Sequence, residues 1–160
     1  MPATLAVDAP LHEDDNAVWS IPSLDVYSNG FRVNVALQLN PHRAQELQSG
    51  IRQPMAMMMR IGVRFADGRV GGRGGARAFP GAPGIPKDEH GVPTEPIVGF
   101  SGGGGSAGGW QFGAWVFPLP PDGPLEIFVA PPPPAVGEFR AVLDGTAVRT
   151  AAERARVIWT

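Results

Sequence analysis

The chain has no cysteine, one lysine (Lys87), one tyrosine (Tyr27) and three histidines among its 160 residues. The missing thiols exclude disulfides, thiolate catalysis and cysteine zinc sites together. Charge is scarce as well: charged residues make up 18%, and 13 basic against 15 acidic side chains leave a formal net charge of −2. No overall field draws such a chain to nucleic acid or anionic lipid, so no DNA partner is expected. No stretch approaches the roughly 18 apolar residues of a membrane span. The opening MPATLAVDAPLHEDDN also lacks the basic start and apolar run of a secretory leader. No membrane association is expected, and the cytoplasm is the expected compartment.

What the sequence has in quantity is glycine, 22 residues, and proline, 18 residues, too much punctuation for a helical protein. This composition suits short strands joined by turns, and the length suits one domain with a single core. Phe31, Val33, Val35, Leu37 and Leu39 alternate with polar or small residues, which places five large apolar side chains on one face of a strand. At about 1.5–3 kcal/mol for each buried side chain, that face contributes on the order of 10 kcal/mol before entropy is subtracted. Ser28-Asn29-Gly30 tolerates positive φ and turns a strand ending near Tyr27 into this one.

Further strands follow, most from the same period and WQFGAWVF as a run apolar on both faces. Met57 to Phe65 alternates and ends in the turn pair Asp67-Gly68; PIVGF, WQFGAWVF, Leu125–Val129 and Phe139–Leu143 complete the set. HRAQELQ after Asn40-Pro41 reads as a short helix. Val148, Ala151, Ala152 and Ala155 have helical spacing behind Asp144 as a cap. The count of about seven strands and one or two short helices predicts an all-β fold, an antiparallel, immunoglobulin-like β-sandwich. Residues 1–16 are expected to be a mobile acidic segment, and residues 17–160 one sandwich domain with a long Gly/Pro-rich loop over 71–95.

Few motifs carry chemistry. Within SGGGGSAGG, Gly103, Gly105 and Gly108 match G-x-G-x-x-G, but a strand pattern follows where a phosphate cradle needs a helix N-terminus. The run is therefore expected to be a flexible connection. Arg73 and Arg77 lie among glycines, like segments that touch single-stranded RNA, with Phe79 nearby as a stacking candidate. The arginine bias equally fits a GC-rich coding sequence, and RNA contact is not the favoured reading. His12 with Glu13, Asp14 and Asp15, and His90 with Asp88 and Glu89, have no recognised metal-ligand spacing. No catalytic residue, metal or cofactor is assigned, since no nucleophile and base are paired in sequence. The two P-x-x-P runs, 118–121 and 131–134, fall between strands and read as strand ends. Trp110, Trp115 and Phe117 are the aromatic candidates for an interaction patch.

VYSNGF, IGVRFADGR, GGGGSAGGWQFGAWVFPLPPDGPL and AVLDGTAVRTAAERARVIW, in that order, resemble a small uncharacterised protein family of high-GC Gram-positive bacteria. The likeness runs from about Trp19 onward and centres on W-x4-W-V-[WF]-P-L-P-P-x-G-P-L. Gln111 and Ala114 stand where that family usually has an acidic residue and an aromatic. The resemblance implies a cytoplasmic bacterial β-domain and brings no activity with it. The leading expectation is a non-enzymatic interaction or structural module, with a protein partner or self-association. The alternatives are a small enzyme or ligand carrier whose pocket forms only in three dimensions, and weak RNA contact through the arginine-glycine loop.

Overall fold

The computed structural model describes residues 1–46, 59–72, 85–106, 108–131 and 137–157. Among the described residues nine strands form two antiparallel sheets: β1 (Ala3–Glu13), β2 (Ala17–Val26), β3 (Phe31–Leu39), β4 (Arg60–Arg64), β5 (Val70–Gly71), β6 (Ile97–Ser106), β7 (Gly109–Phe117), β8 (Pro124–Ala130) and β9 (Phe139–Asp144). The larger sheet has the order β1-β2-β3-β7-β6 and the smaller β5-β4-β8-β9. Taking β2 as strand A, β2-β3-β7-β6 opposite β4-β8-β9 reproduces the ABED/CFG order of an immunoglobulin-type sandwich. The fold is the expected all-β sandwich, with β1 and β5 added at sheet edges.

Alternation builds the core. Phe31, Val33, Val35, Leu37 and Leu39 are all buried, as are Phe112, Ala114 and Val116 on β7 and Leu125, Ile127 and Val129 on β8. These inward faces form one apolar cluster. Helix α1 (Gly145–Glu153) follows β9 directly, with Asp144 as its cap accepting from the Thr146 amide at 2.9 Å. Its Val148, Ala151 and Ala152 are buried in the same cluster. Residues 44–46 are helical where that segment leaves the described residues, as do Met57 and Met58 at the start of the expected Met57–Phe65 strand.

The expected mobile segment over residues 1–16 is corrected. Ala3–Glu13 is strand β1, paired from Ala3↔Val26 to Glu13↔Val18. Leu5, Val7, Ala9 and Leu11 pack against the core, an apolar period that Asp8, Pro10 and the acidic end obscure in sequence. Asp8 sits at a register shift with φ of 44°, in the left-handed region that aspartate tolerates better than most residues. β1 also lies against β9, where His12 stacks on Phe139 at 4.5 Å. Trp19 joins that group at 5.9 Å from Phe139 and 6.3 Å from Phe112.

Of the expected loop over 71–95, residues 73–84 lie outside the described residues, and the described ends carry structure. Gly71 belongs to β5, and Lys87 bridges to Pro93 around a turn in which Asp88 accepts from the His90 and Val92 amides, both at 2.9 Å.

A candidate interaction surface

The glycine run, expected to be a flexible connection, is instead the second half of β6. Past a register shift between Phe100 and Gly103, Gly103 pairs with Phe112, Gly104 with Gln111 and Gly105 with Trp110. Gly103 and Gly105 are slots. A Cβ on Gly105 would fall inside the Trp110 indole, and one on Gly103 would come within 2.8 Å of the Gln111 carbonyl oxygen. An aromatic laid across a cross-strand glycine replaces the packing that the missing side chain cannot supply. The same device holds Trp115, whose Cζ2 would be 2.8 Å from a Cβ on Gly30.

β6 is the outermost strand of its sheet, and no other described segment hydrogen-bonds to the outer edge of Gly102–Ser106. Gly103, Gly104, Gly105 and Ser106 are exposed. At its start the strand is covered, because Pro96 and Val98 lie against Gly71 and Gly72 of the opposite sheet. The open half therefore presents bare backbone N–H and C=O groups, with no side chain guarding them.

A trough of about 580 Å³ crosses the outward face of this sheet, bordered by Arg32, Ala36 and Gln38 of β3, Gln111 of β7 and the glycines of β6. Arg32 and Gln38 lie six residues apart on one strand, so the trough runs for about 20 Å along the strands. Arg32 is half-buried, and its side chain lies over Gly113, where a Cβ would be 2.6 Å from Nη2 and 2.7 Å from Ser101 Oγ. Its Nε is fully buried without a partner, and Arg32 makes no ion pair among the described residues. Asp25, opposite Arg32 on β2, instead accepts from Asn34 Nδ2 at 3.0 Å and Thr4 Oγ1 at 3.3 Å.

The sequence-derived candidates separate. Trp110 faces inward, with its Nε1 buried and lacking an acceptor among the described residues. Trp115 is on the outward face, edge-on to Tyr27 at 5.1 Å. Phe117 is half-buried at the end of β7, opposite Ile97. The strand pleat thus puts Trp110 and Trp115 on opposite faces instead of in one aromatic patch. Arg73, Arg77 and Phe79 lie outside the described residues. None of Arg32, Ser101 and Gln111 was a sequence candidate: Arg32 read as a polar position of an amphipathic strand, Ser101 as part of the glycine connection, and Gln111 as a departure from the resembled family's pattern.

The smaller sheet's outward face is internally paired: Arg64 and Arg140 both bind Glu126, and their guanidinium groups lie 5.7 and 5.9 Å from the Phe128 ring centre. Asp14 has its pKa lowered because its carboxylate accepts from the Asn16 and Ala17 amides at 2.8 and 2.9 Å. At Asp67, burial pushes the pKa up but is outweighed by the Arg69 amide and guanidinium, and the net direction is down. Both carboxylates thus serve turns. Among the described residues no three His, Asp or Glu side chains converge as a metal site, and no helix is long and apolar enough to cross a membrane. No family model matches the chain, and comparisons with curated proteins and with solved structures find no match.

Proposed function

We propose that this protein is a non-enzymatic interaction module that takes an extended segment of a partner protein as an added strand on the open edge of β6. The observation that carries the reading is the exposed edge of Gly102–Ser106, unpaired by any other described segment. Strand addition draws affinity from main-chain hydrogen bonds and specificity from the side chains the new strand places beside the sheet. The glycine floor leaves those side chains room, and a Cβ on Gly104 would meet nothing within 4 Å. A second copy of β6 is a poorer complement than a foreign strand, because glycine opposite glycine forms no cross-strand side-chain pair. The lowered carboxylates are accounted for by turn amides at Asp14 and, against burial, by the Arg69 amide and guanidinium at Asp67, which gives both acids structural roles.

A random nonapeptide display library, selected on the folded protein, tests this. Enriched peptides are expected to move the amide resonances of Gly102–Ser106, and to bind at least about tenfold more weakly when their alternate backbone amides are N-methylated on the edge-facing side, which removes the peptide's ladder donors while leaving its side chains unchanged. Failure to enrich any peptide, or enriched peptides that shift a different surface, would reject strand addition.

A further inference from the structure

We infer that Arg32 and Ser101 form a carboxylate-binding subsite at one end of the trough on the outward face of the larger sheet. The inference goes beyond strand addition and needs no peptide to test it. A guanidinium taken partly out of water without an anion is a standing cost, repaid when a charge-assisted pair forms. Arg32 is in that condition: Nε is sealed and unpartnered, and Asp25, its register partner on β2, instead accepts from Asn34 and Thr4. Its terminal nitrogens are not among the fully buried, unpartnered atoms, and Arg32 borders the trough. Gly113 permits this posture, since a side chain there would displace both the guanidinium and the Ser101 hydroxyl.

The donors select the anion. Two forked N–H groups match the two oxygens of a planar carboxylate, and the Ser101 hydroxyl offers one more donor beside them. A phosphate dianion calls for a second cation, and Arg32 is the one cationic side chain bordering the trough among the described residues. The carboxylate has two possible sources, a glutamate or aspartate side chain of a bound polypeptide or a small free acid. The Gln38 and Gln111 amides along the same trough suit either, as donors and acceptors to the rest of the ligand.

Nuclear magnetic resonance titration decides the matter, read at the Arg32 Nε–H, which its burial shields from exchange with water, and at the Trp115 indole N–H on the adjoining strand. The probes are glutamate capped as N-acetyl N-methylamide, its glutamine counterpart, succinate and inorganic phosphate. The capped glutamate and succinate should shift both signals saturably with Kd of about 1–10 mM, the range of a single forked ion pair. The capped glutamine should not, and phosphate should bind at least about fivefold more weakly. Tighter binding of capped glutamate than of succinate identifies a polypeptide side chain as the source, and the reverse order a free acid; both orders support the subsite. Arg32→Gln should abolish the response with the Tm within about 2 °C of wild type, and Arg32→Lys should weaken it about fivefold. Equal responses to glutamate and glutamine, phosphate binding as tight as carboxylate, no saturable response at all, or a response that survives in Arg32→Gln would each overturn the assignment. Should Arg32→Gln fail to fold, the probe ranking on wild type and the Arg32→Lys comparison still decide it.

Discussion

At Gly105 the Trp110 indole occupies the place of a Cβ, whereas one residue earlier, at Gly104, nothing lies within 4 Å of that place. Two neighbours of identical chemistry therefore carry different constraints. Gly105→Ala forces the indole or the β6 backbone to move, an overpacking that costs about 1–3 kcal/mol, and is expected to lower Tm by about 2–10 °C. Gly104→Ala adds a methyl group in open space and loses unfolded-state freedom, so its Tm should stay within about 2 °C of wild type. Thermal unfolding of the two variants side by side checks this; equal shifts would show that Trp110 does not lie across Gly105 in solution.

Among the elements, the β1–β2 turn depends on a charge. The Asp14 carboxylate accepts from two turn amides and has its pKa lowered from the usual 3.8 by them. A group held below its unfolded value contributes stability that is fully present above pH 3.8 and is lost as pH falls through the folded value. Asp14→Asn keeps an acceptor and removes the charge, so it should lower Tm by about 1–3 °C at neutral pH, a small effect because the side chain is solvated. The gap to wild type should close below pH 3.8, and a gap independent of pH would refute the charge argument. The turn also marks the limit of what sequence shows. β3, β8 and β9 were legible because their large inward residues recur at every second position, β7 because its aromatic-rich run is apolar on both faces, and α1 because Asp144 caps an apolar face of period 3.6. β1 was not, since its bulge at Asp8 and Pro10 interrupt a weak alternation of Leu5, Val7, Ala9 and Leu11. The glycine half of β6 has no alternation to read, because its side-chain packing is supplied from β7 by Trp110 and Phe112. Arg32 was legible as an outward residue, but its want of a partner depends on where Asp25 and Gly113 lie, which only the pairing register reveals.

For the molecule as a whole, β1 covers the edge of β2 and joins the two sheets through the His12–Phe139 stack. Removal of residues 1–14 strips that cover from Trp19 and exposes the β2 edge. The truncated chain is expected to lose about 10 °C or more in Tm and to self-associate at micromolar concentration in light-scattering chromatography. A monomer whose Tm stays within about 2 °C of the full chain would show that β1 is dispensable. The two outer strands of the larger sheet are unlike: β1 carries an exposed Pro10 and a bulge at Asp8, whereas the open half of β6 carries neither proline nor charge. A head-to-tail chain of copies through the larger sheet requires both of its edges to accept a strand, and the β1 edge, with Pro10 exposed and a bulge at Asp8, is ill suited to one. Under the strand-addition proposal, edge pairing on this sheet would therefore have a built-in stoichiometry of one guest strand for each copy, with filament growth opposed by the shape of the opposite edge.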